Sequence, residues 1–220
     1  MRLVIAGLSN IGRNLAELLS KEGSEVVGVD LDEAKCAEMA ISSDVMVITG
    51  DATKKSVLEE AGVKNANALV AVTGDDSDNL MICMLGKEVG AKKIICLVND
   101  PVHVETFKQA GISFQVKPNA VVAKHIYRMI SQPYVKDFLS FERAEIFEIE
   151  VEEGMKCVNK KVSEAGTPNG MKILVLERGG KYLNEDTKIE PEDWLTLIVD
   201  QKSTKKGVEF MNRWFAKGQG

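Results

Sequence analysis

The chain has 220 residues and a formal net charge of −5, with 45% apolar and 28% charged residues. This balance excludes a disordered or fibrous chain and leaves room for one large domain or two small ones. The acid excess gives no overall attraction to nucleic acid or anionic lipid, and runs such as Ile94–Val98 are far too short to span a bilayer.

From its first residues the chain repeats one unit: a short β-branched run, a turn, then an amphipathic stretch. Strands are predicted at Arg2–Ala6, Glu25–Val29, Asp44–Ile48, Ala68–Val72, Lys93–Val98 and Ser113–Val116. Helices are predicted at Ile11–Lys21, Asp32–Ala40, Lys54–Ala61, Ser77–Val89, Val102–Ala110 and Ala120–Ile130. Strands alternating with helices of this length imply right-handed crossovers, and the near-continuous apolar runs suit strands covered on both faces. The expected fold class is α/β, a Rossmann-type doubly wound parallel sheet followed by a small α+β domain. Met1–Ile5 runs straight into the first strand without signal-peptide architecture, so a cytoplasmic location is expected.

The texture changes at Ser131–Tyr134, where Pro133 interrupts the preceding helix. We expect that helix to continue past the break to about Phe141, packed within its own domain or crossing between protomers. From Glu145 to Val151 charge and apolar residues alternate, the pattern of a strand with one wet face. A short helix at Lys161–Ala165, a strand at Met171–Arg178, a hairpin turn at Gly179-Gly180 and a strand near Trp194–Val199 complete the module. Val208, Met211, Trp214 and Phe215 recur at helical spacing within Thr204–Lys217, a terminal helix packed on its own domain or a second copy. The expected domains are residues 1–132, residues 133–202 and a helical tail, 203–220. Cys36, Cys83, Cys96 and Cys157 are scattered, without ligand-pair spacing. They read as buried apolar residues, and no metal site is expected.

The first strand ends in the turn Gly7-Leu8-Ser9-Asn10-Ile11-Gly12. A dinucleotide fingerprint asks for glycine at the first, third and sixth positions: for the tight turn, for approach to pyrophosphate, and for helix–strand packing. Here Ser9 holds the middle position. Asp30, at the tip of the second strand, stands where an acidic residue accepts from a ribose and repels a 2′-phosphate. Asp32 is the better placed helix cap. Gly50-Asp51-Ala52-Thr53 and Thr73-Gly74-Asp75-Asp76 follow the third and fourth strands and should flank adenosine and its phosphates. Asp51 or Thr53 could equally cap the helix at Lys54, and Asp75 or Ser77 the helix beyond.

In these segments, and in Ala71–Asn79 and Val116-Lys117-Pro118, the chain resembles the RCK regulators of potassium conductance, specifically two-domain Trk/Ktr-type (TrkA-like) potassium-uptake regulators. Gly154-Met155, Lys161–Glu164, Ile173–Gly180 and Ile189–Leu195 resemble the second RCK module, with Glu192 where that pattern usually has glycine. The resemblance implies a cytosolic regulatory subunit, not an enzyme, that binds NAD/NADH or ATP/ADP as ligand. It implies a homo-oligomer, from dimer to tetramer or ring, on the inner face of the membrane against a potassium transporter or channel subunit. Carried over by position, the nucleotide set is Gly7, Ser9, Asn10, Ile11, Gly12, Asp30, Asp51, Ala52, Thr73 and Asn79. Two departures weaken phosphate binding: Asn10 stands where relatives often have Arg, and Cys96-Leu97-Val98 lacks a basic residue, with Arg13 as partial compensation.

The alternative is an NAD-dependent oxidoreductase. It would need a proton donor or acceptor at the hydride site. Only His103 and His125 are available, both in helical runs, and the second domain contains no histidine. No catalytic residue is assigned. A DNA-binding repressor is disfavoured by the acid balance and the absence of a basic recognition helix.

Overall fold

The structure, a computed structural model, describes residues 1–217. Six parallel strands open the chain: β1 (Arg2–Ala6), β2 (Glu25–Asp30), β3 (Met46–Thr49), β4 (Ala68–Ala71), β5 (Ile94–Leu97) and β6 (Phe114–Val116). Their order, β3-β2-β1-β4-β5-β6, means that the chain winds outward from β1, returns, and winds the other way from β4. The intervening helices are α1 (Asn10–Lys21), α2 (Glu33–Ser42), α3 (Lys55–Glu60), α4 (Asp76–Val89) and α5 (Val104–Gln109). Successive side chains of one strand serve opposite cores. Val4 and Ala6 pack with Leu58, Ile82 and Phe107, whereas Ile5 packs with Leu8, Ala16 and Met39. That double coverage is why these strands read as unbroken apolar runs. The fold is the doubly wound Rossmann-type sheet, with its switch point between β1 and β4.

α6 (Pro118–Ser131) leads into an antiparallel sheet ordered β10-β9-β11-β8-β7: β7 (Val135–Ser140), β8 (Ala144–Glu150), β9 (Met171–Arg178), β10 (Lys181–Tyr182) and β11 (Trp194–Asp200). α7 (Thr204–Trp214) contributes Phe210, Met211 and Trp214 to the core of Phe147, Ile149, Leu195 and Leu197. The chain divides into two compact units, Met1–Val121 and the part from Val122 onward, so that α6 begins in one and ends in the other. Arg178 and Lys181 pair across Gly179-Gly180, the expected hairpin. All four cysteines are free and buried. No helix among the described residues is long and apolar enough to cross a membrane.

Three local expectations are corrected. The helix does not continue to Phe141: it ends at Ser131, and residues 135–140 form the edge strand β7. Val135, Phe138 and Leu139 imitate helical spacing because the ladder to β8 shifts between Val135 and Asp137, leaving Val135 and Phe138 both buried. Phe138 then stacks on Phe147, with ring centroids 6.1 Å apart. The helix expected at Lys161–Ala165 is a single 3-10 turn, Val162–Glu164. In β8 the alternation places Glu145 on the covered side, with Phe147 and Ile149. It is 1% exposed, bonded by Arg128 Nη2 at 2.8 Å and paired with Lys124, both on α6. A buried carboxylate is tolerated when cations meet it in this way.

Candidate functional site

Gly7 turns the chain out of β1 with φ +102°. A Cβ there would lie 2.8 Å from the Thr73 nitrogen and 2.9 Å from the Val72 carbonyl oxygen. At Gly12 a Cβ would stand 1.9 Å from the Gly7 carbonyl oxygen. The outer glycines are therefore required by the close approach of the turn to β4 and of α1 to the turn. Ser9 is the N-cap residue of α1, yet its hydroxyl donates to the Val72 carbonyl at 3.1 Å and caps none of the helix amides. Among the described residues, the N–H groups of Asn10, Ile11 and Gly12 find no protein acceptor. These donors and the helix dipole make the head of α1 attractive to an anion.

Asp30 closes the other side of the turn. Its Oδ2 accepts from the Leu8 amide at 2.6 Å and its Oδ1 from the Asp32 amide at 2.9 Å. Each oxygen keeps acceptor capacity for a ribose hydroxyl. Asp32, as expected, caps α2 through the amides of Ala34 and Lys35. Asp51 and Thr53 do not cap α3, whose N-cap residue is Lys54. Instead the Thr53 hydroxyl and amide donate to Asp51 Oδ1, at 2.5 and 2.9 Å, and hold that carboxyl below its ordinary range. Asp75 caps α4 through the amides of Ser77 and Asp78, which likewise lower its pKa.

Asn79 lies behind the β4 loop, not in front of it. It is wholly buried; its Oδ1 accepts from the Thr73 amide and hydroxyl, and its Nδ2 donates to the Thr73 and Leu97 carbonyls. Its amide is fully used in shaping the loop that carries Thr73.

These loops surround a crevice at the switch point. Of the sequence-derived set, Gly7, Ser9, Asp30, Asp51, Ala52 and Thr73 line it, whereas the side chains of Asn10, Ile11 and Asn79 do not, and Gly12 packs beneath the turn. Residues not anticipated also line it, among them Leu31, Lys35, Asp78 and Ile82. Lys35 stands 4.0 Å from Asp30 Oδ1. Its sequence signal was its place in the first turn after the Asp32 cap. Arg13 does not compensate for the missing basic residues: its guanidinium bonds Glu38 at 2.7 Å and lies outside the lining. The lining carries three carboxylates, from Asp30, Asp51 and Asp78, against one ammonium, from Lys35. Such a crevice suits an adenosine-bearing ligand whose phosphates lie at the head of α1, and it opposes dense negative charge elsewhere.

The chain matches the TrkA-N domain family over residues 3–118. It is 32% identical over 210 residues to the Trk system potassium uptake protein TrkA homolog of Methanothermobacter thermautotrophicus, covering 94% of this chain and 97% of that protein. To the homolog of Pyrococcus horikoshii it is 29% identical over 218 residues, 95% of this chain and 96% of that one. Among solved structures it is similar to the GsuK RCK domain, at 20% identity and TM-score 0.68, with 99% of this chain and 48% of that chain covered. It is also similar to the GsuK channel bound to NAD, at 21% identity and TM-score 0.69, covering 100% of this chain and 40% of that one. The chain thus spans less than half the length of those GsuK chains, whose likeness is one of fold. The chain belongs to the TrkA-N domain family through residues 3–118 and, by sequence across nearly its whole length, stands among the Trk system potassium uptake TrkA homologs.

Proposed function

We propose that this chain is a cytoplasmic regulatory subunit of a membrane potassium transporter or channel, and that it senses a nucleotide, NAD/NADH or ATP/ADP, without transforming it. The observation that carries this reading is the crevice: uncapped amides at the head of α1 for pyrophosphate, with Asp30 beside them for the ribose. Gly7 and Gly12 keep the turn low enough for the ligand to approach, Ala52 and Thr73 line its sides, and Asn79 fixes Thr73. A regulatory role without chemistry is supported by the histidines, neither of which lines the crevice. His103 bonds Asp76 at 2.8 Å, and His125 stacks on Phe138. The NAD-bound GsuK channel supports the ligand class, and the curated TrkA homologs support the potassium-uptake setting.

We assign the exposed apolar face of α6 to a second copy of this chain. Val122, Ile126, Met129 and Ile130 recur one helical turn apart, and Ile130 is 77% exposed. Thermal-shift measurements with NAD, NADH, ATP and ADP, run beside a turnover assay, test the sensor reading. A shift of several degrees without turnover is expected; no shift with any of the four would overturn it. Light scattering that finds only monomer at micromolar concentration would remove the oligomer.

A further inference from the structure

Asn99 follows β5 and lies outside the crevice, yet it bonds the crevice loop on one side and α6 on the other. Its Nδ2 donates to the carbonyl of Gly74, which lines the crevice, at 3.4 Å. Its amide and Nδ2 both donate to Asp76 Oδ1, at 2.7 and 3.1 Å. Asp76 Oδ2 accepts from the Asp100 amide at 2.9 Å and bonds His103 Nδ1. Asp76 therefore ties residues 99–103 to the first turn of α4. It is 8% exposed; burial raises its pKa, but the bonds from Asn99, Asp100 and His103 outweigh that and hold it below its ordinary value. On the far side, the Asn99 carbonyl accepts from Asn119 Nδ2 at 3.1 Å, and Asn119 belongs to the first turn of α6.

We propose that Asn99 is a positioning residue that passes the state of the crevice to the start of α6. The proposal rests on the nucleotide reading and names how that site is read out. A ligand against Thr73 and Gly74 presses on the loop that runs directly into Asp76. A carboxylate holding several donors moves with its loop and carries Asn99 along. Asn119 is the last link, and it is exposed and outside the crevice lining. Coupling of this kind needs ligand to favour one arrangement of the loop over another. A residue that merely stabilised the fold would change protection throughout the first unit. A relay residue changes only what α6 does when ligand binds.

The test is hydrogen exchange on the full chain with and without saturating NAD or ADP, following residues 73–79 and 118–131 separately. In the wild type, ligand is expected to slow exchange in both segments by about threefold or more. In Asn119→Ala the 73–79 segment should keep its protection, with ligand affinity within about twofold, while 118–131 stops responding; Asn119→Gln, which retains the donor, should restore part of the response. A wild-type α6 that ignores ligand while residues 73–79 are protected would overturn the relay and spare the nucleotide site. So would an α6 response that survives Asn119→Ala and Asn99→Ala. Absence of protection at residues 73–79 would overturn the nucleotide reading and the relay with it.

Discussion

The Leu8 amide donates to Asp30 Oδ2 across 2.6 Å, joining the glycine turn to the tip of β2. Asp30 is thus both a wall of the crevice and the anchor of its floor. Asp30→Ala is expected to weaken NAD or ADP binding about tenfold or more and also to lower the melting temperature. Asp30→Asn keeps an acceptor for Leu8 and should lose affinity with a smaller loss of stability. Calorimetry and thermal melts on the pair check this; equal loss of stability in both variants would dissolve the anchoring role.

Gly12→Ala places a methyl group where 1.9 Å separates it from the Gly7 carbonyl oxygen. Neither partner is the flexible end of a side chain, so α1 must shift. A loss of about 2 kcal/mol or more in urea titrations is expected, with ligand binding abolished.

His103 and Asp76 form a pH-dependent pair. The bond to Asp76, with Asp100 and Asp75 nearby, raises the His103 pKa above its ordinary 6.5. Its contribution to stability is therefore complete below pH 6.5 and is lost as pH rises through the raised value. Asp76 has the opposite sign: held below 3.8, it contributes above that pH and loses its contribution on acidification. His103→Gln should flatten the decline in melting temperature above neutrality and also weaken the acid limb, because one of the bonds that hold the Asp76 pKa down is lost while those from Asn99 and Asp100 remain.

Glu192 adopts φ +70°, the left-handed region in which a side chain is strained. It stands before Asp193, which is wholly buried and bonded by Arg178 Nε at 2.6 Å and by the Glu190 amide at 2.8 Å. The turn is held by Asp193, and Glu192 tolerates the conformation it imposes. Glu192→Gly should stabilise the protein by about 1 kcal/mol, raising the melting temperature by roughly 2–4 °C.

Glu145→Ala removes the anion from a buried charge cluster and leaves Arg128 unmatched. A destabilisation of about 3–5 kcal/mol is expected, most of it recovered when Glu145→Leu is combined with Arg128→Met. Chemical denaturation of the two variants separates these outcomes.

The strand–helix alternation of the first unit was legible because burial on both faces writes itself into β1 and β4 as unbroken apolar runs. The glycine turn was legible because Gly7 and Gly12 leave no room for a Cβ, and Asp30 because an acidic residue at the end of a second parallel strand is a known ribose-binding position. Lys35 and Asp78 were not, since they reach the crevice from helices whose rotation only packing decides. Asn79 carried a polar signal, but its partners are the amide, hydroxyl and carbonyl of Thr73 in the loop after β4 and the carbonyl of Leu97 in β5, which only the fold brings around it. Glu145 read as a wet-face residue because Arg128, which makes its burial tolerable, belongs to another element. The bulge that turned a helical pattern into β7 depends on its partner strand and leaves no mark of its own.

Because Ser9 turns its hydroxyl to Val72, the leading amides of α1 have no protein acceptor among the described residues. An incoming ligand trades places with water there and displaces no side chain. On the nucleotide reading proposed above, arrival of a phosphate at the head of α1 would require loss of solvent but no breaking of a side-chain cap.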